Sequence, residues 1–273
     1  MKGCLYQIAM PLVLIGLVGS LRAQAPDSLR FQGSIPALAA FATSDHFANT
    51  YLISQENAIV KYDSVGRQIA EFTNNRLGRA TFLDASNPLK ILVWYPDFQT
   101  VVLLDRTLTE MGRLNFLRAE LYAVRCVAMA FDGNIWAFDD AVSKAVKLSL
   151  DGAVLLESPP LNVYFSQRFS ATRIRDSGRL VYLNDPASGL CALDQYANLE
   201  NAYNTFRMTD FETDGEWLVY LEKDRLCLQN QTRLQLLYVP LPPRVVPLEG
   251  NAWLGKRGLF LQRGRQVEHY RWK

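Results

Sequence analysis

The chain has 273 residues, 49% of them hydrophobic and 21% charged, with a formal net charge of +2. That apolar share is ample for a large core, and the near-zero charge gives no basis for expecting a nucleic-acid partner.

The N-terminus reads as an export signal. Lys2 supplies the positive end, residues 8–18 supply an apolar run, and small residues follow in 20–25. Cleavage after Ala23 is expected, giving a signal peptide of 1–23, a mature domain of 24–273 and no transmembrane span after cleavage. The competing reading is an uncleaved anchor, because residues 3–21 carry no charge, close to the minimum length for a span. Pro11 and three glycines within that stretch count against it. Cys4 precedes the apolar run and so cannot carry a lipid. The mature chain keeps Cys126, Cys191 and Cys227, an odd number set in apolar patterns, which predicts buried free thiols rather than a disulfide framework.

From there an apolar hairpin ends six times in the same short phrase. The phrases start at Val60, Val102, Val146, Cys191, Cys227 and Val267, spaced 42, 44, 45, 36 and 40 residues apart. A strand-built period of this length marks β-propeller blades. The predicted fold is an all-β, six-bladed propeller of four-stranded antiparallel blades. Blade three is the clearest, with strands at 126–131, 135–138, 145–148 and 154–156, turned by Asp132-Gly133 and Asp151-Gly152. Large flat side chains in the second strands, such as Trp94, Trp136 and Tyr182, are expected to pack one blade on the next. The final repeat has only three strands, at 251–256, 259–262 and 266–272. A spare strand at 28–32 is therefore expected to join the last blade and close the ring.

Chemistry-bearing residues are sparse. The chain has two histidines, His46 and His269, with no spacing that pairs either with other metal ligands. There is no G-x-S-x-G nucleophile motif, phosphate loop or dinucleotide fingerprint. Carboxylates that inner strands and their turns bring towards the axis are Asp84, Asp132, Asp176, Asp210, Glu212 and Asp214. Asp210 and Glu212 alternate in one strand and share a face. So do Arg173 and Arg175 in the preceding repeat, which are placed either to neutralise those acids or to hold an anionic ligand. The loop Tyr95-Pro96-Asp97-Phe98 sets two aromatics, a rigid proline and a carboxylate between strands, a composition suited to recognition.

Asp132-Gly133-Asn134-Ile135-Trp136, with Lys147-Leu148 and Asp151-Gly152, resembles the repeat of NHL-type and gluconolactonase-type propellers. That resemblance implies either a protein-binding ring or a lactonase with one divalent ion at the axis. Residues 84–112 are similar to the second blade of a family of exported Bacteroidota propellers, which implies a Gram-negative periplasm, with outer-membrane association within its range. The first expectation is a non-catalytic periplasmic binding or scaffold ring, without a cofactor, serving as a protein-interaction subunit of an envelope assembly. Its binding residues would be Tyr95, Asp97, Phe98, Arg173 and Arg175. The alternative is a lactonase-like hydrolase with a divalent cation near Asp210 and Glu212. A sugar or peptidoglycan fragment in the channel is a third possibility.

Overall fold

The computed structural model describes residues 29–272 except 205–207, 224, 231, 234, 244 and 246–249. The signal peptide expected at 1–23 lies outside the described residues.

Six four-stranded antiparallel sheets make the blades. In the first five the strands follow one another along the chain, from the axis outwards. Their innermost strands are Ala39–Ser44, Phe82–Asp84, Val124–Met129, Arg173–Asp176 and Phe211–Thr213. Blade six starts with Ala252–Gly255 and continues through Gly258–Arg263 and Gln266–Trp272. Its fourth strand is Leu29–Ile35, paired antiparallel with Gln266–Trp272 from Leu29 opposite Trp272 to Ile35 opposite Val267. The closing strand is longer than the sequence suggested because a bulge between Phe31 and Gly33 resets the register and lets pairing continue.

The recurring phrase has a local cause. Its fourth residue caps the turn into the outer strand. Asp63 Oδ1 accepts the Val65 and Arg67 amides, Asp105 Oδ1 those of Thr107 and Thr109, and Asp194 Oδ1 those of Tyr196 and Asn198. Ser149 and Asn230 play the same part in blades three and five. Blade six has no such cap because its fourth strand comes from the other end of the chain.

The second-strand aromatics Tyr51, Trp94, Trp136, Tyr182 and Phe260 are buried between blades. Trp94 meets Phe116 edge-on, with ring centroids 5.5 Å apart. Cys126, Cys191 and Cys227 are buried free thiols. Burial pushes the Cys126 and Cys191 thiols up to about 12, well away from reactivity. Among the described residues no helix is long and apolar enough to cross a membrane.

Candidate functional site

The inner strands carry the axial chemistry. Arg173 Nε lies 3.0 Å from Asp210 Oδ1, and Arg175 Nε lies 3.1 Å from Glu212 Oε2. Lys256, from the inner turn of blade six, reaches Glu212 Oε1 at 2.6 Å and the Thr213 carbonyl at 2.8 Å. Asp84 completes the set: it accepts the Met129 amide at 3.0 Å and adds to the field that holds Arg175 charged. Arg173 also crosses the channel. Its guanidinium sits 4.6 Å from the Phe82 ring centroid and 5.6 Å from that of Phe41, on blades two and one. Burial would raise the Glu212 pKa, but Lys256 and Arg175 hold it below the ordinary value. Burial likewise opposes charge on Arg175, and Glu212, Asp210 and Asp84 outweigh it.

This arrangement does not fit the axial metal expected at Asp210 and Glu212. The Asp210 oxygens accept from Arg173, Phe211 N and Leu254 N, and the Glu212 oxygens from Lys256, Arg175 and Thr213 N. A divalent cation there would face three resident positive charges and carboxylate lone pairs already in use. Among the described residues no group of three or more His, Cys, Asp or Glu is placed to hold a metal ion.

Above this floor the six inner turns frame a mouth of about 370 Å³. His46, Pro88, Phe131, Ser177, Asp214 and Lys256 line it, one from each blade. Local hydrogen bonding sets what each turn presents. Asp45 accepts the Phe47 and Asn49 amides and the Tyr51 hydroxyl, which holds His46 and Phe47 outwards at the apex. Asp176 accepts the Phe131 amide and Trp136 Nε1, both at 3.0 Å, and the Gly178 amide at 2.7 Å. It thereby locks blade three to blade four. Phe131 lies over Gly178, where a Cβ would stand 2.9 Å from the ring. Phe131 is nonetheless 78% exposed, and Phe47 and Leu89 in the two preceding turns are similarly open.

The sequence placed Phe131 at the end of a strand. The strand stops at Met129, and Phe131 belongs to the turn, because Gly133 N closes back on the Ala130 carbonyl. Asp132, expected near the axis, instead pairs with Lys147 at 2.6 Å. Asp214 accepts the Glu216 and Trp217 amides within its own turn.

Tyr95-Pro96-Asp97-Phe98 forms the end of a strand followed by a short 3₁₀ turn, Pro96–Phe98, at the opposite end of blade two. Tyr95 is fully buried, so it offers nothing to a partner at the surface. Asp97 packs on Gly78 and accepts the Arg79 amide, fixing the chain between blades one and two. Asp97 and Phe98 are both exposed, but only Phe98 offers an apolar surface, and it lines a cleft of about 400 Å³ with Leu77, Arg118 and Leu150. The loop and the axial arginines therefore do not meet in one site. Residues 47, 89 and 256–257 have no mark in the sequence because each stands in a short turn with no motif around it, and His46, visible as one of two histidines, has no partner spacing to give it a role.

No family model matches the chain, and no curated protein matches it in sequence. By fold it is similar to a streptogramin B lyase, at 14% identity over 90% of this chain and 87% of that one, with a TM-score of 0.55. It is similar to the WD40 domain of Pan2 from Neurospora crassa, at 10% identity over 91% and 96% of the two chains and a TM-score of 0.61. It is also similar to virginiamycin B lyase from Staphylococcus aureus, at 8% identity over 89% and 99%, with a TM-score of 0.60. At these identities the likeness is one of fold: a six-bladed β-propeller.

Proposed function

We propose that the chain is a non-catalytic binding ring of the bacterial envelope, exported to the periplasm, and that a protein partner docks over the mouth framed by its inner turns. The observation that carries this reading is the set Phe47, Leu89 and Phe131. Three consecutive blades hold large apolar side chains out to solvent around a floor closed by paired charges. Exposed aromatics on rigid turns are the usual anchors of protein interfaces. A floor whose acids are all engaged leaves no free general base or metal ligand for hydrolysis. The export signal read in residues 1–23 and the similarity of residues 84–112 to exported Bacteroidota propellers support the compartment.

The test is capture from envelope extracts with the wild-type mature chain, a Phe47→Ser/Phe131→Ser variant and a Phe98→Ser variant, with bound proteins identified in each. A partner lost with the mouth variant and kept with Phe98→Ser supports the reading. Loss only with Phe98→Ser would move the interface to the cleft at the far end of blade two. No stoichiometric partner in any sample would overturn it.

A further inference from the structure

Blade six carries a row of arginines that its own strands leave uncompensated. Arg30 in the closing strand stands directly opposite Arg271, and Arg271 stands opposite Gly258. Directly opposed residues of an antiparallel pair share a face, and like charges so placed destabilise the pair. Gly258 puts no side chain between Arg271 and the inner turn, where Arg257 is its chain neighbour. Among the described residues none of these three arginines has a carboxylate within salt-bridge distance.

A groove of about 320 Å³ runs between blades five and six from the axial mouth, lined by His46, Val219, Lys256, Arg257, Arg271 and Trp272. Arg257 is anchored through one side only: its amide donates to Ser44 Oγ at 3.2 Å and its Nε to the His46 carbonyl at 3.1 Å. The acids of the groove are engaged. Glu212 serves Lys256 and Arg175, and Asp214 caps its own turn. Partial burial, with Lys256 and Arg257 nearby, keeps the His46 pKa below its ordinary value, so its imidazole is neutral and does not add to the repulsion.

We propose that this groove binds a small organic anion, its carboxylate or phosphate group held between Arg257 and Arg271 and its apolar part resting on Val219 and Trp272. Guanidinium groups are suited to both headgroups because their fork of donors matches paired oxygens. An anion seated there relieves the Arg30–Arg271 repulsion and satisfies donors the protein itself leaves open. The groove shares His46 and Lys256 with the mouth, but its arginines are distinct from Phe47, Leu89 and Phe131, so variants at one set test that set alone.

The experiment measures thermal shift and calorimetric binding of benzoate, phenyl phosphate and inorganic phosphate against sodium chloride of equal ionic strength. Wild type is compared with Arg257→Gln/Arg271→Gln, and with Arg118→Gln in the far cleft as the control. The expected result is stabilisation beyond chloride by benzoate or by the phosphates. Their relative effect distinguishes a carboxylate from a phosphate ligand. Binding should weaken by roughly tenfold or more in the groove variant, as loss of charge-assisted hydrogen bonds requires, and persist in the control. No effect beyond chloride, or equal effects in wild type and groove variant, overturns the proposal. Without ligand at low salt, Arg271→Gln should melt no lower than wild type, since it removes a repulsion. A lower, salt-independent melting point would show Arg271 to be a structural element of the blade and would also overturn it.

Discussion

His269 is half-buried against Phe260, with ring centroids 4.4 Å apart and 10° between planes, and its enclosed Nε2 has no hydrogen-bond partner. A charged imidazolium would lose its hydration there and gain nothing back. Burial, helped by Arg271, brings its pKa down from 6.5 to about 4. The unfolded chain takes up this proton near 6.5 and the folded chain only near 4, so between these values the unfolded state binds more protons. The contribution is complete above the upper value and is lost as pH falls towards the lower one, on the order of 3 kcal/mol in all. Glu212, whose folded pKa is depressed below 4.5, loses its contribution only beneath that value, so the two acid limbs separate. Melting temperatures from pH 7 to pH 4.5 should fall for wild type and fall less steeply for His269→Phe, which keeps a flat ring on Phe260. Equal slopes would show that His269 does not govern this limb.

At the scale of elements the ring depends on one pairing between the two ends of the chain. Leu29–Ile35 covers the strand Gln266–Trp272, which would otherwise present an edge carrying Val267 and Tyr270. Deleting residues up to 35 should lower the melting temperature by about 10 °C or more and promote association through the bared edge. A synthetic peptide of residues 29–35 added in excess should reverse both effects. A truncated chain that melts like wild type and sediments as a monomer would show that closure rests on blade-to-blade packing instead. This pairing was legible in the sequence because a period counts strands, and the count left one strand missing at the end and one spare at the start. The caps at Asp63, Asp105 and Asp194 made the period visible, since the turn chemistry repeats even where the apolar residues drift. The mouth was far less legible. Whether Phe131 ends a strand or leaves it depends on where the turn hydrogen bond closes, and Tyr95 and Phe98 read alike until tertiary packing buries one of them. Arg173 and Arg175 showed their shared face through alternation, yet Lys256 had no local pattern to mark it as their counterpart from another blade.

For the molecule as a whole, the axial charges act as a joint between blades. Arg173 and Arg175 come from blade four, Asp210 and Glu212 from blade five, Lys256 from blade six and Asp84 from blade two, three positive groups against three negative. Buried charges are costly to place, and such a set is tolerated because every member is ion-paired or, for Asp84, hydrogen-bonded to backbone amides; its role is to fix which blades meet at the centre more than to add net stability. Removing a single member leaves an uncompensated charge, and Arg175 is the most enclosed of the three cations. Arg175→Met should therefore lower stability by about 3–5 kcal/mol, leaving Asp84, Asp210 and Glu212 to share Arg173 and Lys256. Adding Glu212→Gln restores the balance, because Asp84 and Asp210 then face the two remaining cations, while the substituted amide oxygen still accepts from Lys256. The double variant should be less destabilised than the sum of the single variants by about 1 kcal/mol or more, the mark of groups in one network. Urea unfolding of the four chains in this cycle measures the coupling directly. Strict additivity would mean that Arg175 and Glu212 serve separate local roles and that the blades are held at the axis by their apolar faces alone.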